Sequence, residues 1–378
     1  MVKTKSLPRW RKIESAWCGS GLGAASTPRR AYLCPCGILW GKVAQTAVAT
    51  GSALPLLGTG AFTSCQVVLR YNGYYEVCHM TTEALGLWRS TLREPLLCQV
   101  EEFIGNLANI RETWQGGPQR VPSIIGILNV TPDSFSDGGE YLKVGQAIEH
   151  AHYMVSCGAA LVDIGGESTK PSAAPISSSV ERKRVLPIVK ALVEDGVQVS
   201  IDTYHPDTME EASALGASVI NDISGFTAYP NSKQVGAASG RALVLVHSLP
   251  LETERGAVFD GEVAIEIYEN LFEQIKAMEL LGVSRGRIVV DPGLGFEKSH
   301  KSNFSALRWM GILHGLGCQI MIGASRKFGR MQKGQSPKDR LPGSIAASLY
   351  GTEQGAHFLR VHDVAEIQQA LGVWRSIT

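Results

Sequence analysis

Short apolar segments alternate with segments of helical periodicity eight times between residues 124 and 378. This alternation is typical of βα units around a parallel sheet, because each strand reaches the same edge again only through a crossover. Eight repeats in about 250 residues predict an α/β fold, a (β/α)8 TIM barrel. The predicted strands are Ile124–Val130, Leu161–Gly165, Gln198–Asp202, Ser218–Asp222, Ala242–His247, Ile288–Asp291, Gln319–Gly323 and His357–Val361.

The helical segments follow the strands in turn. A doubly wound open sheet is the alternative arrangement for such a pattern, but no GxGxxG motif follows the first strand. We therefore predict the closed barrel. The predicted helices are Lys143–Cys157, Ser177–Asp195, Asp207–Leu215, Asn231–Ala238, Gly261–Leu281, Asn303–His314, Arg340–Glu353 and Val364–Trp374.

The sequence before the barrel divides into two regions. Residues 1–60 hold eight Lys or Arg and a single acid, among many Ser, Thr, Ala and Gly. This N-terminal extension has the composition of an organellar transit peptide, and it fits equally well a disordered tail or an upstream stretch outside the native product. Residues 61–122 contain a possible strand, Cys65–Tyr71, a possible helix near Leu97–Thr113 and a linker with turn residues. The barrel itself is assigned to residues 123–378.

Composition and charge argue against several classes of function. The formal net charge of +1 gives no indication of nucleic-acid or membrane-surface binding. No window offers the ~20 uninterrupted apolar residues that a bilayer span requires. We expect a cytoplasmic protein, or a mitochondrial or plastid one if the extension is a transit peptide. Cys34 and Cys36 have no second Cys or His pair nearby, so they indicate a zinc site only weakly.

All eight predicted strands end in hydrogen-bonding or ionisable residues. In a barrel these ends converge on one mouth, where the active sites of this fold lie. A single carboxylate after a strand is usually a helix cap, and that interpretation stays open for Asp222 and Asp363. Eight convergent sets exceed what capping explains, and they predict an enzyme. The sets are Asn129; Asp163 with residues 167–170; Asp202 and Thr203; Asn221 and Asp222; His247 and Ser248; Asp291; residues 325–327; and Arg360, His362 and Asp363.

One part of the mouth suits a planar heterocycle. Asp202, Asn221 and Asp291 supply acceptors and an amide, and a carboxylate can accept two parallel N–H donors from a guanidine-like edge. The planar guanidinium of Arg360 suits an aromatic ring. By contrast, His205 is expected to be a solvated loop residue.

A second part of the mouth suits a phosphate or pyrophosphate. The polar loop within Ile125–Gly139 offers amide and carboxylate oxygens that suit a metal ion beside such an anion. Cationic side chains suit the anion directly. They are Arg326, Lys327, Arg360 and His362, with Lys170 from the second loop.

Seven motifs at these strand ends resemble those of dihydropteroate synthase, an enzyme family of folate biosynthesis built on a pterin-binding barrel. They occur in the family's order and span about two thirds of the chain. The motifs are GILNVTPDSFSDGG (126–139), DIGGEST (163–169), SIDT (200–203), INDISG (220–225), DPGLGF (291–296), GASRK (323–327) and RVHD (360–363).

The resemblance implies condensation of 6-hydroxymethyl-7,8-dihydropterin diphosphate with p-aminobenzoate, releasing pyrophosphate by an SN1-like path. It also implies a Mg2+ cofactor bound by Asn129 and a homodimer formed through outer helices. The implied pterin site consists of Asp202, Asn221, Asp291, Phe296, Lys327 and Arg360. The implied diphosphate site consists of Asn129, Arg360 and His362. Phe135, Ser168, Thr169 and Pro171 are implied to bind p-aminobenzoate, and Asp137, Lys170 and Lys327 to be catalytic.

The chain departs from the family pattern at several positions. The second loop reads STKPSA where STRPGA is usual, so Lys170 lacks the planar fork of arginine and Ser172 replaces a glycine. Phe328 follows the SRK motif, where Ser or Arg is commoner. These differences bear on p-aminobenzoate and sulfonamide binding more than on pterin binding. They motivate a non-catalytic pterin-binding paralogue as the alternative; a pterin-dependent methyltransferase is disfavoured because it has no use for the RVHD and SRK motifs.

Overall fold

An antiparallel sheet forms the N-terminal part of the molecule. The computed structural model describes residues 9–15, 27–111, 122–131, 140–167, 175–328 and 338–378. The strands of this sheet are β1 (Arg11–Glu14), β2 (Arg30–Leu39), β3 (Leu54–Leu56), β4 (Gly60–Arg70) and β5 (Tyr74–Thr81). They pair in the order β1-β5-β4-β2, and β3 pairs with the beginning of β4. Tyr71, Asn72 and Gly73 join β4 to β5, and Tyr71 N–H donates to the Tyr74 carbonyl oxygen at 2.9 Å across the turn, where Gly73 has a positive φ.

Three helices accompany the sheet: α1 (Gly41–Ala49), α2 (Thr82–Arg89) and α3 (Leu96–Ala108). The hydroxyl of Thr81 caps α2 by accepting a hydrogen bond from the Ala84 N–H at 3.2 Å. On α3 the apolar residues recur at helical spacing, so Val100, Phe103 and Leu107 are buried together. We call the sheet and these helices the N-terminal unit.

Eight parallel strands close into a barrel downstream of this unit. Each strand pairs with its neighbours in sequence, and the last pairs with the first through Arg360 opposite Ile125. The predicted barrel is confirmed, and each strand lies within two residues of its predicted bounds. The strands are β6 (Ser123–Asn129), β7 (Ala159–Gly165), β8 (Val199–Asp202), β9 (Val219–Asp222), β10 (Ala242–Val246), β11 (Ile288–Asp291), β12 (Gln319–Ile322) and β13 (Phe358–Val361).

Helices surround the barrel, and one prediction among them needs correction. The helix predicted at Asn303–His314 ends at Arg308, and a 3₁₀ helix, Met310–Leu316, follows it. Gly311 and Gly315 in that segment lie against Pro35 and the Phe103 ring, so the close approach of the N-terminal unit leaves no space for side chains. The helices are α4 (Glu140–Ser156), α5 (Ser178–Glu194), α6 (Pro206–Leu215), α7 (Ser232–Ala238), α8 (Gly261–Leu280), α9 (His300–Arg308), α10 (Leu341–Glu353) and α11 (Val364–Ile377).

The barrel strands divide their apolar residues between two cores. Alternate residues such as Ile125, Val244 and Met321 fill the interior of the barrel. Their neighbours along the strands, for example Ile124 and Ile320, pack against the surrounding helices. This alternation fixes which strand residues face the mouth and the base of the barrel.

The N-terminal unit is docked on α8 of the barrel. The Tyr268 ring on that helix lies 5.6 Å from the Tyr32 ring and 5.9 Å from the Phe103 ring, measured between centroids. The next residue, Glu269, accepts hydrogen bonds from Arg30 at 2.6 Å and from the Tyr32 hydroxyl at 2.9 Å. Aromatic packing and a partly buried ion pair therefore join the two parts.

The disordered interpretation of residues 1–60 is wrong for the described residues 27–60. These residues form β2, α1 and β3, and β2 pairs with β4 across the boundary that we placed at residue 60. Arg30, one of the basic residues that suggested a transit peptide, binds Glu269 of the barrel. Composition misled here because charge counts do not distinguish a solvated cation from one that holds two parts of a fold together.

In the described part of the chain, every helix is too short or too polar to cross a bilayer. The cytoplasmic or organellar location stays a prediction.

Candidate active site

Arg360 joins two carboxylates at the mouth of the barrel. Its Nε donates to Asp163 Oδ2 at 2.6 Å, and its Nη2 donates to Asp202 Oδ2 at 2.5 Å. Asp163 and Asp202 come from the adjacent strands β7 and β8 and are only 1% and 9% exposed. The guanidinium plane of Arg360 is therefore fixed across this part of the mouth.

Asn221 extends this network and leaves two acceptors unused. Its Nδ2 donates to Asp163 Oδ2 at 2.9 Å. Asp163 Oδ1 and Asn221 Oδ1 are both buried without a hydrogen-bond partner among the described residues. Buried acceptors are nearly always satisfied in folded proteins, so this pair indicates a ligand that presents N–H donors.

Asp163 is a site residue that the sequence analysis placed at a strand end but did not assign to ligand binding. It lies two residues after Leu161, which faces the barrel interior, so strand alternation directs it inward as well. That alternation was the available signal.

Lys327 and Asp291 lie together on the other side of the mouth. The Lys327 Nζ is 4.6 Å from the centroid of the Phe296 ring and makes no hydrogen bond to a described residue. A Cβ at Gly323 would lie 3.6 Å from Lys327 Nζ and 3.7 Å from Asp291 Oδ2. Because Gly323 has no side chain, the space next to Lys327 Nζ and Asp291 Oδ2 stays open.

Burial and mutual charge shift the titration of these groups. Burial lowers the pKa of Lys327 to about 8, while Asp291 opposes that change. Burial raises the pKa of Asp202 to about 7, and Arg360 opposes it. For Arg360, burial acts to lower the pKa, but Asp163 and Asp202 raise it overall. Arg360 therefore stays cationic at any physiological pH, whereas the proton on Lys327 is lost under mildly alkaline conditions.

Lys298 fixes the loop that carries Phe296. Its Nζ donates to three backbone carbonyl oxygens, those of His247 at 2.9 Å, Gly293 at 3.1 Å and Phe296 at 3.1 Å. Gly293 is required there because a Cβ would lie 1.9 Å from the His247 carbonyl oxygen. The sequence analysis missed Lys298, since it follows the DPGLGF motif and not a strand end.

His362 and Asn129 lie at the ends of the adjacent strands β13 and β6. Ser325 Oγ is 3.0 Å from His362 Nδ1, and the Nε2 of this histidine makes no hydrogen bond to a described residue. Burial, with Arg326 and Arg360 adding to it, lowers the pKa of His362 to about 3. The imidazole is therefore neutral, and a Nδ1 that accepts from Ser325 leaves an N–H at Nε2 for an anion. Asn129 is exposed and its amide makes no hydrogen bond to a described residue.

Arg326 forms an ion pair that we did not predict. Its Nη2 donates to Asp363 Oδ1 at 2.6 Å and its Nε to Asp363 Oδ2 at 3.1 Å, a bidentate pair. Asp363 consequently does not cap α11 through its side chain. Asp222 does cap its turn, because its carboxylate accepts from the N–H groups of Ser224 and Phe226.

Glu167 and Ile176 flank the second loop, and both are hydrogen-bonded by aromatic side chains that the sequence analysis did not predict to lie there. Tyr204 donates to Glu167 at 2.8 Å, and His205 Nε2 donates to the Ile176 carbonyl oxygen at 3.1 Å. Tyr229 OH lies 3.0 Å from His205 Nδ1. His205 is 4% exposed, so our expectation of a solvated residue is wrong.

The remaining predicted site residues lie outside the described residues. They are the p-aminobenzoate residues and two of the three catalytic candidates. Their assignments stay predictions: Phe135, Asp137, Ser168, Thr169, Lys170 and Pro171.

The residues that are described fit a Mg2+ ion bound with a phosphate. No group of three or more His, Cys, Asp or Glu side chains is placed to hold a metal within the described ranges. Mg2+, however, usually takes only one or two protein oxygens and completes its shell with water and substrate phosphates. The side-chain amide of Asn129, which makes no hydrogen bond to a described residue and lies on the strand next to that of Arg360, is an oxygen donor of that kind.

Comparison with known proteins agrees with this geometry. Residues 125–362 match the family described as pterin binding enzyme. The dihydropteroate synthase of Escherichia coli K12 is 37% identical over 257 residues, which is 67% of this chain and 90% of that protein. The Bacillus subtilis enzyme is 38% identical over 247 residues, 65% of this chain and 84% of its own length. The chain belongs to the dihydropteroate synthase family.

Solved structures of the dihydropteroate synthase family share this fold. The Xanthomonas albilineans enzyme with 4-aminobenzoic acid aligns with a TM-score of 0.63 and 38% identity, covering 68% of this chain and 93% of that chain. The same enzyme in complex with 7,8-dihydropteroate aligns with a TM-score of 0.61 and 36% identity, covering 68% and 94%. The predicted membership of the dihydropteroate synthase family is thereby confirmed.

Proposed function

We propose that this protein is an active dihydropteroate synthase, which joins 6-hydroxymethyl-7,8-dihydropterin diphosphate to p-aminobenzoate and releases pyrophosphate. The observation that carries the proposal is the pair of unused buried acceptors, Asp163 Oδ1 and Asn221 Oδ1, beside the Asp202 carboxylate. A pterin presents an amino group and ring N–H donors on one edge, which complement such a set. Family members with bound 4-aminobenzoic acid and 7,8-dihydropteroate give independent support.

Opposite the acceptors, Lys327 supplies donors to the pterin ring. Its ammonium group is held between the Phe296 ring and the Asp291 side of the mouth and has no competing hydrogen bond among the described residues. A pterin carries a carbonyl oxygen and a ring nitrogen that accept such donors. Acceptors on one side and a cation on the other orient the heterocycle in a single direction.

Arg360, His362 and Asn129 face the diphosphate in this arrangement. The neutral His362 offers the Nε2 N–H, and Arg360 offers charge that its carboxylate partners keep in place. Asn129 would hold Mg2+ together with the diphosphate oxygens. When bound, the ion neutralises negative charge on the departing pyrophosphate.

The charge distribution favours an SN1-like path. The bond between the pterin methylene carbon and the diphosphate oxygen breaks first, and its electron pair leaves with pyrophosphate. The carbocation is delocalised over the pterin ring, close to the carboxylates of Asp163, Asp202 and Asp291, which stabilise positive charge. The amine of p-aminobenzoate then forms the new C–N bond and loses a proton. No side-chain nucleophile is required.

Pyrophosphate release by the purified protein tests the proposal. We expect release that depends on both Mg2+ and p-aminobenzoate. Asp202→Ala and Lys327→Ala should each reduce turnover at least 100-fold, about 3 kcal/mol of barrier, without loss of folded structure by circular dichroism. Asp207→Asn, at an exposed carboxylate on α6, is the matched control and should retain activity.

Two results would contradict the proposal. Pterin binding without any pyrophosphate release would favour the non-catalytic paralogue. Near-normal turnover in Asp202→Ala or Lys327→Ala would show that the site is assigned to the wrong residues.

A further inference from the structure

A cavity lies at the base of the barrel, at the opposite end from the candidate active site. Its volume is about 300 Å3, near the lower limit for small-molecule sites. Asn106, Asn109 and Arg111 of the N-terminal unit line one side, and Arg285 and Gln319 of the barrel line the other. Gln319 is the first residue of β12, which places the cavity beneath the strand beginnings.

Arg111 brings an uncompensated positive charge to this cavity. It is 8% exposed, and its Nη2 donates to the carbonyl oxygens of Asn106 at 2.8 Å and His314 at 2.6 Å. Its Nη1 lies 3.4 Å from His314 Nδ1, and no carboxylate of the described residues forms an ion pair with it. The His314 ring beside it is neutral, because burial and then Arg111 lower its pKa to about 3. A buried guanidinium normally has an anionic partner.

Gln319 brings two unused polar atoms to the same cavity. It is 1% exposed, and neither its Oε1 nor its Nε2 has a hydrogen-bond partner among the described residues. Met321, two residues later, fills the barrel interior, so strand alternation directs Gln319 to the inner floor of the barrel. A buried amide with both ends unsatisfied indicates a ligand that offers an acceptor and a donor.

The other arginine of the cavity is already paired. Arg285 contacts Glu279 at 2.6 Å and Glu102 at 3.6 Å. Neither glutamate lines the cavity, so Arg111 is the cation of the lining that has no carboxylate partner among the described residues. Since Arg111 and Gln319 belong to different parts of the molecule, a ligand that contacts both would bridge the N-terminal unit and the barrel.

We propose that this basal cavity binds a small oxyanion, the carboxylate or phosphate group of a metabolite, on Arg111 and Gln319. The oxyanion accepts hydrogen bonds from the guanidinium and from Gln319 Nε2, and a hydroxyl or protonated oxygen of the ligand donates to Gln319 Oε1. Binding there stabilises the docked arrangement of the two parts of the protein. The site is separate from the catalytic mouth and does not depend on the activity proposed above.

Thermal unfolding of the full chain tests this proposal. We would titrate inorganic phosphate and, separately, malate, a dicarboxylate with a hydroxyl group, with sodium chloride keeping the ionic strength constant. At about a hundred times the Kd we expect the apparent Tm to rise by roughly 3–5 °C with at least one of them. The more effective probe identifies the ligand class as phosphate or carboxylate.

Three variants show whether the anion that raises the Tm binds in the basal cavity or in the catalytic mouth. In a His362→Ala background, which removes a phosphate contact in the mouth, Arg111→Gln and Gln319→Met should each abolish the anion-dependent shift. Gln319→Met should also raise the Tm in chloride alone, because it removes two unsatisfied polar atoms from the interior. If Arg111→Gln does not fold, Gln319→Met alone still tests whether the anion binds in the basal cavity. His362→Ala, in the catalytic mouth, should retain the shift.

Three outcomes would overturn the proposal. The first is no shift with either anion. The second is a shift that persists in Gln319→Met and disappears in His362→Ala, since the anion would then occupy the mouth. The third is a shift that appears only in Glu112→Gln, because the carboxylate of this next residue in the sequence, which lies outside the described residues, would then neutralise Arg111 in the native protein.

Discussion

Lys327 enters the mouth as a cation whose donors are not used by any described residue, and its charge depends on pH. Burial lowers its pKa to about 8 from 10.5, so the proton is present below that pH and is lost above it. The proposed role of Lys327 as a donor to the pterin requires the protonated form. Activity should therefore decrease as the pH rises through about 8.

We expect kcat/KM for the dihydropterin diphosphate to fall about tenfold per pH unit above that value. Lys327→Arg keeps its charge at high pH, so the alkaline decrease should disappear even if the maximal rate is lower. A pH–rate profile of both proteins checks this. An equally steep decrease in Lys327→Arg would show that another group controls the profile.

Single residues differ in how far the sequence could predict them. Asp202, Asn221 and Asp291 were predicted because each ends a strand, and the structure brings the first two into one network with Arg360. The pairing of Arg326 with Asp363 was not predicted, because it joins residues 37 positions apart. Position along a strand is readable in a sequence, whereas the partner of a charged side chain is not.

At the level of helices, intrinsic propensity and packing oppose each other at Gly351 of α10. Alanine normally stabilises a helix interior by about 1 kcal/mol relative to glycine. A Cβ at Gly351, however, would lie 2.0 Å from Ile322 Cδ1, and Ile322 is 1% exposed beneath the helix. Glycine there allows α10 to approach the barrel wall closely.

We therefore expect Gly351→Ala to destabilise the protein by about 1–2 kcal/mol, because overpacking outweighs propensity. Gly372→Ala on α11 is the matched control, since a Cβ there meets nothing within 4 Å. It should stabilise the protein by up to about 1 kcal/mol. Urea unfolding midpoints measure both; stabilisation by both substitutions would mean that Ile322 moves aside without cost.

Across the whole molecule, the N-terminal unit covers part of the outer surface of the barrel. Its contacts involve α8 and the 3₁₀ helix Met310–Leu316, where Gly315 lies against the Phe103 ring. The homodimer implied by the family resemblance stays a prediction. A second copy would have to dock on outer helices that this unit leaves uncovered.

A substitution at Glu269 measures how much its contacts between the N-terminal unit and the barrel contribute to the free energy of unfolding. Glu269→Ala would leave Arg30 and the buried Tyr32 hydroxyl without their acceptor, and we expect a loss of about 2 kcal/mol of unfolding free energy. Glu273→Ala, one turn later on α8, removes an exposed pair with Lys276 and should cost under about 0.5 kcal/mol. Urea unfolding compares them. Equal effects would mean that the ion pair contributes little to docking.

Local patterns in the sequence determined the barrel, the order of its strands and the position of the catalytic mouth. Strand alternation and strand ends are properties of a few consecutive residues, so they can be read without knowing what packs against them. The tertiary structure alone decided three other features: the docking of the N-terminal unit through Arg30 and Glu269, the pairing of Arg326 with Asp363, and the basal cavity with Arg111 and Gln319. Each depends on side chains far apart in the chain, and the free energy of a buried charge is set by its partner and its exposure to water.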